Sequence, residues 1–180
     1  MRRLVSTSVK LRALSYPEAV STLTDRLAKV EGRIAEAALQ SARPRQDIRL
    51  LAVSKRQPLS VLREAAELGL RDFGENYVQE LVRKSPLVEE FSGLRFHLIG
   101  HLQRNKARQV ALHAGAVHTL DDERTAVELS ARVIAAERIP LPVLVEVNLG
   151  GEAQKSGCRP SLVESLLCQI EVLEGLHLRG

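Results

Sequence analysis

Seven residues of this chain combine chemical capability with telling positions: Lys55, Glu75, Asn76, His97, His101, Asp121 and Asn148. All but His97, which lies within its apolar segment, fall at or just after the end of such a segment. Lys55 closes the run Leu50-Leu51-Ala52-Val53-Ser54 and is followed by Arg56-Gln57-Pro58, which cannot continue a strand. A lysine at such a place, if buried or half-buried, loses proton affinity through desolvation and becomes a free amine able to attack an aldehyde. Of the six lysines in the chain, it is the only one that ends an expected strand. Glu75 and Tyr77 are candidate acid/base partners, with a capping charge and a half-buried first-turn ring as their structural alternatives. His97 and His101 have the i, i+4 spacing of helical zinc ligands, but they straddle a strand and its loop, so no metal site is expected. Arg104, Lys106 and Arg108 are either a phosphate grip near this edge or a solvated helix face.

The elements that must position these residues follow from periodicity. Strands are expected at 50–55, 70–76, 95–100, 116–120, 143–149 and 176–180. Helices are expected between them: 77–84 after Asn76, about 103–113, from Asp121-Asp122 towards Arg138, and one opened by Pro160. Ser15-Tyr16-Pro17-Glu18 reads as the start of a long amphipathic helix carrying Val20, Leu23, Leu27, Val30, Ile34 and Ala37 on one face. Strict alternation of strand and helix predicts a parallel α/β sheet with right-handed crossovers. Both a doubly wound sheet and a (β/α)₈ barrel fit; counting six strands favours the open sheet, because a barrel needs eight strands and about 250 residues. In either fold the strand ends gather at one edge, and that edge holds the chemistry. Glycine-rich nucleotide fingerprints are absent.

Composition narrows the classes further. The 180 residues are 44% hydrophobic, which suits one packed domain, and no apolar run approaches the ~20 residues of a membrane span. Cys158 and Cys168 read as reduced thiols of a cytoplasmic protein. The net charge of +4 resides in the first fifteen residues, where Arg2, Arg3, Lys10 and Arg12 stand without an acid. Residues 1–15 are therefore expected to be a basic disordered extension, with a transit peptide as the alternative, and 16–180 the folded domain. That body is neutral and poor in aromatics, which argues against a nucleic-acid partner.

Several motifs stand in a recognisable order: Leu51-Ala52-Val53-Ser54-Lys55 with Pro58, Phe73-Gly74-Glu75-Asn76-Tyr77-Val78-Gln79-Glu80, His97-Leu98-Ile99-Gly100-His101-Leu102-Gln103 with Asn105-Lys106, and Val145 to Asn148 with Lys155-Ser156-Gly157. On these the chain, from about Pro17 to Gly180, resembles the pyridoxal-phosphate homeostasis proteins. The resemblance implies an alanine racemase-like (β/α)₈ barrel in which Lys55 forms a Schiff base with pyridoxal 5′-phosphate (PLP) and Asn76, His97 and Asn148 line the cofactor pocket. It also implies a non-catalytic carrier that buffers PLP and delivers it to apoenzymes. The family continues through two further strands that grip the cofactor phosphate. The present sequence stops on its sixth strand, so an incomplete barrel of about six strands, truncated and weak in phosphate binding, is expected. A racemase-like enzyme and a non-functional truncated barrel are the competing readings.

Overall fold

The computed structural model describes residues 21–152, 154 and 156–180. Six strands form one sheet: β1 (Leu51–Val53), β2 (Asp72–Glu75), β3 (Arg95–Leu98), β4 (Ala116–Leu120), β5 (Leu141–Val145) and β6 (Leu176–Leu178). The helices are α1 (Leu23–Gln40), α2 (Leu59–Glu67), α3 (Val78–Lys84), α4 (Leu87–Glu90), α5 (Ala107–His113), α6 (Glu123–Ala135) and α7 (Val163–Glu171). Every strand pairs in parallel with the next in sequence, in the order β1-β2-β3-β4-β5-β6.

That order decides between the two architectures. A doubly wound sheet reverses its strand order at a switch point and so carries helices on both faces. Here the order never reverses. Constant right-handed crossovers then put the helices on one side, and they pack in succession, α3 on α5, α5 on α6 and α6 on α7. This is the winding of a (β/α) barrel, with β1 and β6 as the edges of the sheet among the described residues. The preference for an open doubly wound sheet drawn from strand count is corrected accordingly.

Side-chain parity then sorts the sheet into two faces. Phe73, Phe96, Leu98, Val117, Leu141 and Val143 point to the helices and are buried against Leu62, Leu81, Val110, Leu129, Val133 and Ile170. The Phe73 and Phe96 rings lie 5.9 Å apart, centroid to centroid. Each such fully buried side chain contributes roughly 1.5–3 kcal/mol, so the helix-facing side carries the stability. The register neighbours of opposite parity (Asp72 beside Arg95, Gly74 beside His97) belong to the concave face, which carries these polar groups on β2 and β3.

Several element ends differ from expectation. The start at Ser15 lies outside the described residues; residues 21–22 are not helical, and α1 opens at Leu23 with a Thr22–Asp25 capping box. β2 begins at Asp72 because the Leu70 amide still bonds Ala65 O across Gly69, whose φ is +99°. β5 ends at Val145, leaving Asn148 in the following loop. Pro86, expected only to stop a helix, also opens α4. The 1–15 extension and Lys155 lie outside the described residues.

Candidate functional site

At the carboxyl end of β1 the chain turns sharply, with the Gln57 amide bonding Ser54 O at 3.0 Å. Lys55 and Arg56 occupy the turn, and Arg56 has φ +61°, the left-handed region that a residue with a side chain rarely adopts. Ser54 is buried, whereas Lys55 is exposed and shares the parity of Val53 on the concave face. Among the described residues Lys55 makes no hydrogen bond or ion pair. Lys55 is not buried: the concave face beside β1 is open, and Val53 itself is 54% exposed. What the turn supplies is an accessible, unengaged amine.

Next along the edge, Asn76 continues the parity of Asp72 and Gly74. Its Oδ1 is buried and has no hydrogen-bond partner among the described residues. Asn76 does not cap α3, whose N-cap position is taken by Tyr77 without a side-chain bond, and the Tyr77 ring is half exposed. A cleft of about 370 Å³ opens here between Asn76, Tyr77, Gly100, His101, Gln103 and Lys106. Of the three basic residues considered as a phosphate grip, Lys106 lines this cleft, and Arg104 and Arg108 are exposed. Gly100 is required, since a Cβ there would sit 2.1 Å from Asn76 O.

Glu75 has neither role that was considered for it. Its parity turns it to the helix layer, where it is fully buried and Oε1 accepts from Lys84 Nζ at 2.7 Å and from Ser54 Oγ at 2.6 Å. Lys84 ends α3, where a lysine ordinarily stands as a solvated cation favourable to the helix dipole. Instead it is fully buried.

His97 lies lower on the concave face, buried. Its Nε2 is 2.9 Å from Asp72 Oδ1, and its Nδ1 is 2.9 Å from His118 Nε2. Arg95 also reaches Asp72 Oδ1, at 2.8 Å, and Arg49 lies 3.5 Å from Oδ2. The Asp72 carboxylate accepts from Nε2–H of His97, so Nδ1 is the acceptor for Nε2–H of His118 while both rings are neutral. Desolvation pushes the proton affinity of both rings down; Asp72 opposes this at His97 but is outweighed. His97 is thus engaged on both nitrogens, and the half-buried His118 is the ring of the pair with a nitrogen left over.

At the far side of the edge Asn148 follows β5. Its amide bonds Cys158 O at 2.9 Å, and its Nδ2 donates to Glu152 O at 2.9 Å. Asp121 accepts from Gly157 N at 3.1 Å and lies 3.5 Å from His101 Nδ1, tying this loop to the end of β4. The structure therefore sets Lys55, Asn76 and, one level lower, His97 on neighbouring strands, whereas Asn148 is separated from Lys55 by three strands. Sequence reasoning missed His118, Asp72, Lys84 and Glu80. Alternation within 116–120 marks His118 for the face opposite Val117, a signal that was available; no local pattern marks Lys84 for burial.

A family model of the alanine racemase N-terminal domain matches residues 32–180. The chain is 43% identical over 161 residues to the pyridoxal phosphate homeostasis protein of Pseudomonas aeruginosa, covering 89% of this chain and 69% of that one. It is 41% identical over 163 residues to the protein of the same name from Escherichia coli, with the same coverage. The chain belongs to this family. Among solved structures, PipY of Synechococcus elongatus with PLP bound superposes with a TM-score of 0.68 at 34% identity, over 82% of this chain and 68% of PipY. The incomplete alanine racemase-like barrel expected from the motifs is the fold observed.

Proposed function

We propose that this chain binds pyridoxal 5′-phosphate through Lys55 and serves as a non-catalytic carrier in PLP homeostasis. The observation that carries the reading is the exposed Lys55 at the end of β1, on the strand paired with the one that leads to Asn76, whose buried Oδ1 has no hydrogen-bond partner among the described residues. The names of its relatives and the PLP bound in PipY support the same cofactor. When bound, PLP supplies an aldehyde carbon that a neutral lysine amine attacks.

The residues present fit that group. Lys55 offers the nucleophile without an ion pair to break. Asn76 offers a hydrogen-bonding side chain whose oxygen has no partner among the described residues, a state that is costly unless a ligand or water completes it. His97, held between Asp72 and His118, lies on the floor of this face, while Asn148 stands three strands away from Lys55, after β5. Carriage to PLP-dependent apoenzymes suits an amine in the open, from which the cofactor can be released. A cytoplasmic setting accords with this role; no helix of the described residues is long and apolar enough to cross a membrane.

Adding PLP to the purified protein is expected to produce a visible absorption band that Lys55→Ala abolishes. An identical spectrum from wild type and Lys55→Ala would remove Lys55 from the site. One observation favours a racemase-like alternative: His118 is an imidazole on the same face with a nitrogen left to exchange a proton. Chiral analysis of L-alanine and L-serine incubated with the PLP-loaded protein tests it, and no D-isomer is expected.

A further inference from the structure

Both peptide neighbours of Lys55 are gripped by a single charge cluster on the other side of the strand end, fully buried at Lys84 and Glu75 and partly exposed at Glu80. The Lys84 ammonium is fully buried and spends its three protons on Ser54 O at 2.8 Å, Glu75 Oε1 at 2.7 Å and Glu80 Oε2 at 2.8 Å. Glu75 Oε1 also receives the Ser54 hydroxyl at 2.6 Å. Glu80 Oε2 receives the Arg56 backbone N–H at 2.8 Å. Ser54 is thus held by carbonyl and hydroxyl, Arg56 by its amide, and Lys55 stands between them with a free side chain.

The Arg56 backbone gives a second, independent sign. A φ of +61° at a residue with a side chain is unfavourable and persists only where the surroundings over-determine it. The surroundings here are the Glu80 carboxylate and the Ser54–Gln57 turn bond. Glu80 is held as an anion by Lys84 first and by the Arg56 amide second, both of which push its carboxyl below the usual range.

We infer that Glu75, Lys84 and Glu80 are positioning residues: the cluster locks the strained turn and so fixes the direction from which the Lys55 amine meets an aldehyde. This rests on the reading of Lys55 as the aldehyde-binding residue. None of the three side chains needs to touch the cofactor. They act through the backbone on either side of Lys55, much as an orienting group acts on a nucleophile in other covalent sites.

The test compares wild type with Glu80→Ala, Glu80→Gln and Lys84→Met in the full chain. PLP is added, bound cofactor is trapped with borohydride, and the label at Lys55 is measured against that at Lys29, an exposed lysine of α1, by peptide mass spectrometry. In parallel, amide hydrogen exchange is followed at Arg56 and at Ile99, whose amide bonds Glu75 O within the sheet. Glu80→Ala is expected to lower the Lys55:Lys29 ratio about tenfold, the scale of a lost charge-assisted hydrogen bond, and to speed exchange at Arg56 but not at Ile99. Glu80→Gln, which keeps an acceptor, falls between. Lys84→Met, if it folds, lowers the ratio at least as far; if it does not, the Glu80 pair decides. An unchanged ratio in Glu80→Ala, or equal acceleration at Arg56 and Ile99, overturns the inference. A wild-type ratio near unity sinks the carrier reading instead, and the clamp is then judged on Arg56 exchange alone.

Discussion

Gly100 offers the sharpest test of how the strand ends build the site. An added Cβ would lie 2.1 Å from Asn76 O and 2.8 Å from Asn76 C and Cα, where even 3.0 Å is almost never seen. Opening that contact requires a relative shift of about 0.9 Å. Neither side yields easily. The Glu75–Leu98 register and the Ile99 amide on Glu75 O hold the Asn76 side, and Thr119 Oγ1 holds Gly100 O at 2.7 Å. Overpacking of this kind costs about 1–3 kcal/mol, and a weakened hydrogen bond adds about 1 more. Gly100→Ala is therefore expected to lose about 2–4 kcal/mol in urea unfolding, with unchanged m-value. A displacement approaching 1 Å at Asn76 should also weaken PLP binding, read from the absorption band, by about tenfold or more. The matched control is Gly32→Ala on the exposed side of α1, where a Cβ meets nothing within 4 Å. It should stabilise the chain by about 0.5–1 kcal/mol and leave binding alone. Equal stability changes in the two variants, or full PLP binding by Gly100→Ala, would refute the packing argument.

Two further outcomes follow from buried charge. Lys84→Met strands Glu75 and Glu80 and is expected to cost about 3–5 kcal/mol by denaturant titration, whereas Lys84→Met/Glu75→Gln, which also neutralises the buried carboxylate, should recover a large part; a single-variant loss below about 1 kcal/mol would show that the cluster is not the buried network described. His97 and His118 have proton affinities pushed below the ordinary value of 6.5 by burial, so the unfolded chain binds more protons than the folded one as pH falls through that value. Their contribution is complete above 6.5 and is lost as pH drops through the lowered folded values, so the melting temperature should fall as pH is taken below about 6.5, and His118→Gln should flatten that slope. A melting temperature with no slope in that window would contradict the neutral pair.

Much of the site's placement was legible because it depends on local pattern. The apolar run into Lys55 followed by Pro58 sets a strand end whatever the strand pairs with, and the 116–120 strand and the Asp122 cap of α6 read directly. Boundaries slipped where a neighbour decides them. Pro142 argues against an inner strand, yet it lies within β5, paired in register with His177. Glu75 and Lys84 are each polar and near an element end, where water is the usual partner. Only tertiary contact makes them each other's.

The amino-acid sequence by itself determined the alternation of strand and helix, the residues at each strand end and hence Lys55 as the amine of the edge, because these depend on periodicity over a few residues. Tertiary structure alone decided the strand order, the burial of Lys84 between two carboxylates and the Asp72–His97–His118 chain. Apart from Glu80 and Lys84, one helical turn apart on α3, those are pairings between residues 9 to 30 positions apart in sequence. No local propensity encodes which distant partner a strand or a charge will find; that is set by which arrangement buries the helix-facing side chains together.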